Sequence, residues 1–195
     1  NASGLTLFGG EVGGVNPLDS LRTDAAGHSE INADITASGN TITFHDPVML
    51  ANSVSLTDTG TTGIRFNDTV DSAADAHHSL TATATNGSIT FSGDVGDGAA
   101  GDQSLGSLTV TEAANGVIFG DKAGVSQIRS QADINIGSAT TIGGVGIQLN
   151  GGAANLLTMT TNGGNVRWNG ETQLFTDVNV LTNGGNLTLT ADAPL

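Results

Sequence analysis

Cysteine is absent from the 195-residue sequence, basic side chains number only five, and the aromatics amount to six Phe and one Trp. Without cysteine, neither a disulfide framework nor a thiolate zinc site can form. Five Lys and Arg against 19 Asp and Glu leave a formal charge of -14. That charge opposes binding to a phosphate backbone and favours solubility through self-repulsion, so nucleic acid is excluded as a partner. No apolar run approaches the ~18 residues that a membrane helix needs, and no basic stretch followed by an apolar one opens the chain. Membrane insertion of this segment is not expected, and any targeting signal would lie outside it. Apolar residues never recur at i, i+3, i+4 and i+7 over several turns, which argues against a helical fold.

What is present is strand-and-turn chemistry. Gly, at 29 residues, has roughly double the usual share of about 7%. Thr, Asn, Asp and Ser surround short runs of Val, Ile and Leu. The fold class read from this is all-β.

The scarce aromatics mark a repeat. Phe8 stands in FGGEV, Phe44 in FHDPV, Phe66 in FNDTV, Phe91 in FSGDV, Phe119 in FGDKA and Trp168 in WNGET. Leu149 in LNGGA and Leu189 in LTADA take the same place, giving eight anchors for the interior. From Phe44 onward their spacings are 22, 25, 28, 30, 19 and 21 residues, whereas Phe8 to Phe44 spans 36 and hides an extra partial coil. A second element precedes most anchors by 9 to 11 residues: Ile35 to Ser38, Leu56 to Thr59, Leu80 to Thr83, Leu108 to Thr111, Leu157 to Thr160 and Val178 to Leu181. Between the two lies an Asn/Gly turn, such as Asn86-Gly87 or Asn162-Gly163-Gly164, built from residues that accept positive φ.

Such a unit cannot bury its own apolar face, but copies stacked ~4.8 Å apart pair each strand with its equivalents. Residues 1–195 are thus expected to form a single parallel β-solenoid segment, a right-handed β-helix of about eight coils with two to three short strands each. The rod would be roughly 40 Å long at ~4.8 Å per coil. Leu80, Ala82, Ile89, Phe91 and Val95 should point inward, and Thr81, Thr83 and Thr90 outward. An antiparallel sandwich would also show many short strands, but it does not call for one corner motif in constant phase. The pattern is cut at both ends, which reads as a piece of a longer repetitive chain.

The segments ITFSGDVGDGAAGDQSLGSLTVTEAANGVIFGDKAG and ITFHDPVMLANSVSLTDTGTTGIRFNDTVDSAADAHHSLTATATNGSITF resemble repeats of giant bacterial surface adhesins, of the filamentous-haemagglutinin-like and autotransporter type. The likeness extends over most of residues 5 to 190. It implies export across a Gram-negative outer membrane with its secretion machinery, a β-helical shaft at the cell surface, and a role in adhesion, aggregation or biofilm. It also implies partners among host-cell, glycan or self surfaces, with end-to-end or lateral self-association among the options.

Several candidate sites weigh against this. Glycoside hydrolysis needs two carboxylates ~5 to 9 Å apart on one groove. Asp46, Asp68 and Asp121, however, fall at corners where Gly is the alternative, so backbone geometry accounts for them. No enzyme activity and no cofactor are expected. His77-His78 with Asp71 and Asp75 could offer donors to a metal, and Asp94, Asp97 and Asp102 to Ca²⁺, but neither set has a recognised ligand spacing. Asn67, Asn86 and Asn186 begin glycosylation triplets of a kind that an Asn- and Thr-rich chain produces by chance. The remaining candidate is a binding face of outward hydroxyls: Thr36, Ser38, Thr57, Thr59, Thr81, Thr83, Thr109, Thr111, Thr158 and Thr160. Stacked as two ladders, these could bind carbohydrate or ice, although Thr is also a favoured outward strand residue.

Overall fold

The structure is a computed structural model and describes residues 4–98, 100–120, 126–150 and 156–190. Among the described residues there are nineteen strands and no helix, and every strand pairing is parallel. The molecule is a β-solenoid of about seven turns, one fewer than the anchor count suggests. At ~4.8 Å per turn the rod is about 34 Å long.

Each complete coil contributes to three stacks of strands. The first holds the leading half of Ile35–Phe44, then Val54–Asp58, Leu80–Ala84, Leu108–Ala113, Ile134–Ile136, the leading half of Val166–Leu174, and Leu187–Thr190. The second holds Leu18–Arg22, the trailing half of Ile35–Phe44, Gly63–Phe66, Ser88–Phe91, Val117–Phe119, Ile142–Leu149 and the trailing half of Val166–Leu174. The third holds Gly4–Phe8, Gly27–Ile31, Val48–Leu50, Val70–Ser72, Gln127–Ser130, Leu156–Thr161 and Asp177–Leu181, with Val95 and Leu105 as single-residue bridges in the middle.

Alternation along the strands sets the interior. Leu80, Ala82, Ile89, Phe91 and Val95 are fully buried, as the period-2 pattern predicts. On the second side Phe44, Phe66, Phe91 and Phe119 align in register. Their rings are stacked at centroid distances of 5.5, 5.0 and 5.1 Å, with planes within 9° of parallel. Gly63 enters this side at φ 97°, where a Cβ would lie 2.0 Å from the Ser88 carbonyl oxygen, so no larger residue fits the corner.

Thr90 departs from expectation. It alternates outward but is only 3% exposed, because Arg65 and Ile118 lie beside it in the neighbouring coils. The Arg65 guanidinium reaches Ser92 Oγ at 3.5 Å and covers the site.

Two of the later anchors are not where the repeat places them. Leu149 continues the phenylalanine column, followed by Leu174, not Trp168. Trp168 and Leu189 belong to the first side, in a column with Ala82, Val110 and Ile136. Leu157 to Thr160 and Val178 to Leu181 lie on the third side, opposite Gln127–Ser130. The physical reason is that alternating residues, an Asn-Gly turn and an apolar strand suit either of two corners. From Leu157 onward the motif is therefore used one side earlier. The 19-residue interval from Leu149 to Trp168 is shorter than any full coil of the second side.

Leu189 is 60% exposed and is not interior, since no described strand pairs with its free edge. Phe8 is a partial case. It aligns with Ile31 on the third side, yet its half-buried ring meets Phe44 edge-on at 6.1 Å and 88°, closing off the ring stack.

One device at the entry to the first side went unread. Ser55 N donates to Asp34 Oδ1 at 2.7 Å, and Ser79 N to Ser53 Oγ at 3.0 Å. Asn165 N likewise donates to Asp133 Oδ1 at 2.7 Å, and Asn186 N to Asn165 Oδ1 at 3.0 Å. Each corner side chain accepts from the equivalent backbone N–H of the next coil, where the ladder would otherwise leave a donor unpaired.

Candidate functional site

The hydroxyl positions do not assemble into one pair of ladders. Thr36, Thr57 and Thr83 share one outward column. Thr81 and Thr109 share another, with Ser55 before them and Asn135 and Arg167 after. The offset arises because Leu56 pairs with Ala82, not Leu80. A two-residue slip keeps every side chain on its own face, so alternation in the sequence does not reveal it. Thr111 falls at a bulge, where Glu112 takes the place opposite Thr83. Ser38 and Thr59 are exposed at the exit corner, beyond the paired residues. Thr158 and Thr160 are on the third side, opposite Gln127 and Arg129.

The acids at the corners are hydrogen-bond acceptors within the fold. Asp46, 1% exposed, accepts from the Ser29 hydroxyl at 3.1 and 3.0 Å and from the Thr23 hydroxyl. Asp94 accepts from Ser126 N at 2.7 Å and Gln127 N at 2.9 Å. Asp68 accepts from Thr69 N, while Asp121 lies outside the described residues. Asp58, which spacing did not single out, occupies an inward position between Ala37 and Ala84 and accepts from Gly60 N and Gly63 N. Burial pushes its carboxyl above the usual carboxylate range, against those two bonds. The small neighbours supply the room that the carboxylate occupies.

His77 Nδ1 lies 3.2 Å from the Ser104 carbonyl oxygen, and His78 contributes its backbone N–H to Ser72 Oγ. Burial raises the Asp71 carboxyl, which accepts from Gly98 N at 3.0 Å. No group of three or more His, Asp or Glu side chains is placed to hold a metal among the described residues. The three sequon asparagines all use their side chains: Asn67 toward Arg65, Asn86 toward Thr59 O, and Asn186 toward Asn165.

A groove on the third side, of about 260 Å³, brings together residues that spacing leaves far apart. It arises from an insertion within the third side of one coil, between Val95 and Leu105. Asp102 in that insertion is tied to the preceding coil by the bond from Asp75 N to Asp102 O. In the next coil the equivalents of Val95 and Leu105 are Ile128 and Ser130, with Arg129 alone between them. The inserted loop therefore overhangs the next coil, with Asp102 and Ser104 as one wall and Thr160 and Asn162 as the other.

Gln131 forms the floor. Its Nε2 donates to Asp102 Oδ2 at 3.0 Å and to Ser104 Oγ at 2.9 Å, and its Oε1 accepts from Asn162 Nδ2 at 2.9 Å. Asn183, one coil further, donates to Thr161 O at 2.7 Å. Hydrogen bonds from the Ser104 side chain and backbone hold the Asp102 carboxyl below the usual range, so it is ionised at neutral pH. Arg129 pairs with Asp97 at 2.9 Å on the open rim. Asp102, as a calcium donor, and Thr160, as part of the hydroxyl face, were among the sequence candidates. An insertion present in one coil and missing from the next was the signal available for the rest.

Comparison with known protein families, with curated proteins and with solved structures finds no match.

Proposed function

We propose that this segment is part of the shaft of a secreted bacterial surface adhesin or extracellular fibre, a non-enzymatic rod that holds binding surfaces away from the cell. The observation that carries this reading is the parallel ladder through about seven turns, unbroken along the first and second sides and reduced to single-residue bridges at Val95 and Leu105 on the third. A load along the rod is then shared by the backbone bonds of two or three strand pairs at each complete interface. The stacked rings and aliphatic rows inside resist sliding, since packed interiors deform little. The resemblance of the repeats to adhesin shafts supports the same role. The charge of -14 discourages lateral clumping of exposed strands.

Force spectroscopy on the chain held by its two ends tests the shaft. Coils of 19 to 33 residues should release one at a time, each adding roughly 60 to 120 Å at ~3.3 to 3.6 Å per residue. Collapse in one event at negligible force would remove the load-bearing role. Display from a Gram-negative outer membrane tests the adhesive role: the displaying cells should aggregate or adhere more than cells with the anchor alone. Unchanged adhesion, with the segment detected outside the cell, would leave a rod without adhesive function. A carbohydrate-binding reading is favoured separately by the polar groove, not by the hydroxyl columns.

A further inference from the structure

We propose that the groove between the loop carrying Asp102 and Ser104 and the three following coils is a binding site for a neutral sugar ring. Its chemistry differs from that of the other surfaces described above. Elsewhere outward hydroxyls stand in rows that support the sheet, whereas here planar amides and a carboxylate from four successive coils converge on one concavity. Gln131 is locked on both sides of its amide, to Asp102 and Ser104 at one edge and to Asn162 at the other. A floor fixed in this way needs little ordering when a ligand arrives. Asn162 and Asn183 each use one amide N–H, on Gln131 and Thr161, and these bonds orient both Oδ1 atoms to accept from ligand hydroxyls. Arg129 offers the guanidinium N–H groups not used by Asp97.

The composition of the walls narrows the ligand. Asp97 and Asp102 outnumber Arg129, so the local field repels phosphate, sulfate and uronate groups. The carboxyl of Asp102 stays ionised and adds to that repulsion. Apolar side chains are missing from the lining, which disfavours lipids and hydrophobic peptide anchors. An uncharged molecule dense in both donors and acceptors remains, and vicinal hydroxyls are such an array. The volume of about 260 Å³ lies just below the ~300 to 1,000 Å³ of sites for drug-sized ligands, which suits one ring or the end of a chain. The ring would bind edge-on through hydrogen bonds, since no aromatic platform lies in the groove. This chemistry does not depend on whether the rod is an adhesin.

The test applies the whole chain to an array of neutral, sialylated and sulfated oligosaccharides, followed by NMR titration with the neutral sugars that bind. Neutral sugars should bind weakly and selectively. Gln131→Ala should reduce that affinity about tenfold or more by removing the shared floor. Because Gln131 joins two coils, Asn162→Ala is the second variant. Asn162 is exposed, so the change should lower affinity while leaving the circular dichroism and melting curve as in the parent. Thr36→Ala and Thr57→Ala, on another side of the rod, should bind as the parent does. Absence of binding to neutral sugars at millimolar concentration, preference for anionic glycans, or affinity unaltered in a native Asn162→Ala protein would each overturn the site. So would loss of binding in the Thr36 and Thr57 variants, which would move it to the hydroxyl columns.

Discussion

Between Phe44 and Phe119 the second side of the rod closes on four stacked rings, whereas from Ile147 to Leu174 the same side closes on Leu149 and Leu174. In the earlier stretch each ring touches its equivalent in the next coil, and a slipped coil would lose face-to-face contact. Such pairs add ~0.5 to 1.5 kcal/mol beyond area burial. The later stretch has no such column, and its one tryptophan stands on a neighbouring side. Ring stacking thus specifies register in one half, while in the other it falls to aliphatic fit and corner hydrogen bonds.

The largest expected effect tests that division directly. Phe91 is fully buried between two rings at 5.0 and 5.1 Å. Phe91→Ala should cost ~3 to 5 kcal/mol through the cavity and the lost stacking, read from urea midpoints. Leu149→Ala, equally buried but making no ring-on-ring stack with its neighbour Phe119, should cost less, at the lower end of the ~2 to 5 kcal/mol range. Equal costs for the two variants would mean that the rings are filler and do not specify register.

Asp58 comes next, because it has no counterpart in later coils, where Ala84 and Ala113 hold its column. Asp58→Ala strands two corner N–H groups and should cost ~1 to 3 kcal/mol. Its raised carboxyl also makes a signed pH prediction. A folded-state pKa above the unfolded one favours folding in the protonated form. That contribution is fully present below the unfolded-state pKa and is lost as pH rises through the folded-state value. The parent should therefore gain stability relative to Asp58→Asn as pH falls through the raised folded-state value toward the unfolded-state value of about 4. Asp71, also raised, and Asp102, lowered, are present in both proteins and cancel from the difference. A difference that stays flat with pH would show that burial does not govern this carboxyl.

Smaller still is the corner ladder, which runs through both halves. Asn165→Ala removes the acceptor for Asn186 N, and Asp34→Ala removes that for Ser55 N. Each should cost ~0.5 to 1.5 kcal/mol, toward the low end because water reaches these corners. Similar costs in the two halves would make the ladder a device of the whole rod. A marked cost at Asn165 alone would show that corners matter most where rings are missing.

These contrasts also explain which parts were legible in advance. Inward and outward placement at Leu80, Ala82, Ile89 and Phe91 follows from period-2 alternation, a property of a few adjacent residues. The phase from Leu157 onward does not, because the same turn chemistry serves two corners and only pairing with Gln127–Ser130 decides between them. The hydroxyl ladders failed at a slip of two residues, invisible to alternation. The groove was unreadable for a different reason: it is made by an insertion in one coil that the next coil lacks, and no single motif contains it.

The smallest effect is expected at Trp168, in the half without a ring column. Its side chain is 4% exposed, and its Nε1 is buried without a hydrogen-bond partner. Trp168→Phe would remove a desolvated donor, a gain of ~1 to 3 kcal/mol, and lose some buried ring area, a loss of similar size. The two nearly cancel, so the urea midpoint should move by less than the equivalent of ~0.5 kcal/mol. A clear stabilisation would mean that the unpaired indole N–H costs more than the lost ring area returns. A clear loss of stability would show that burying this N–H carries no such penalty.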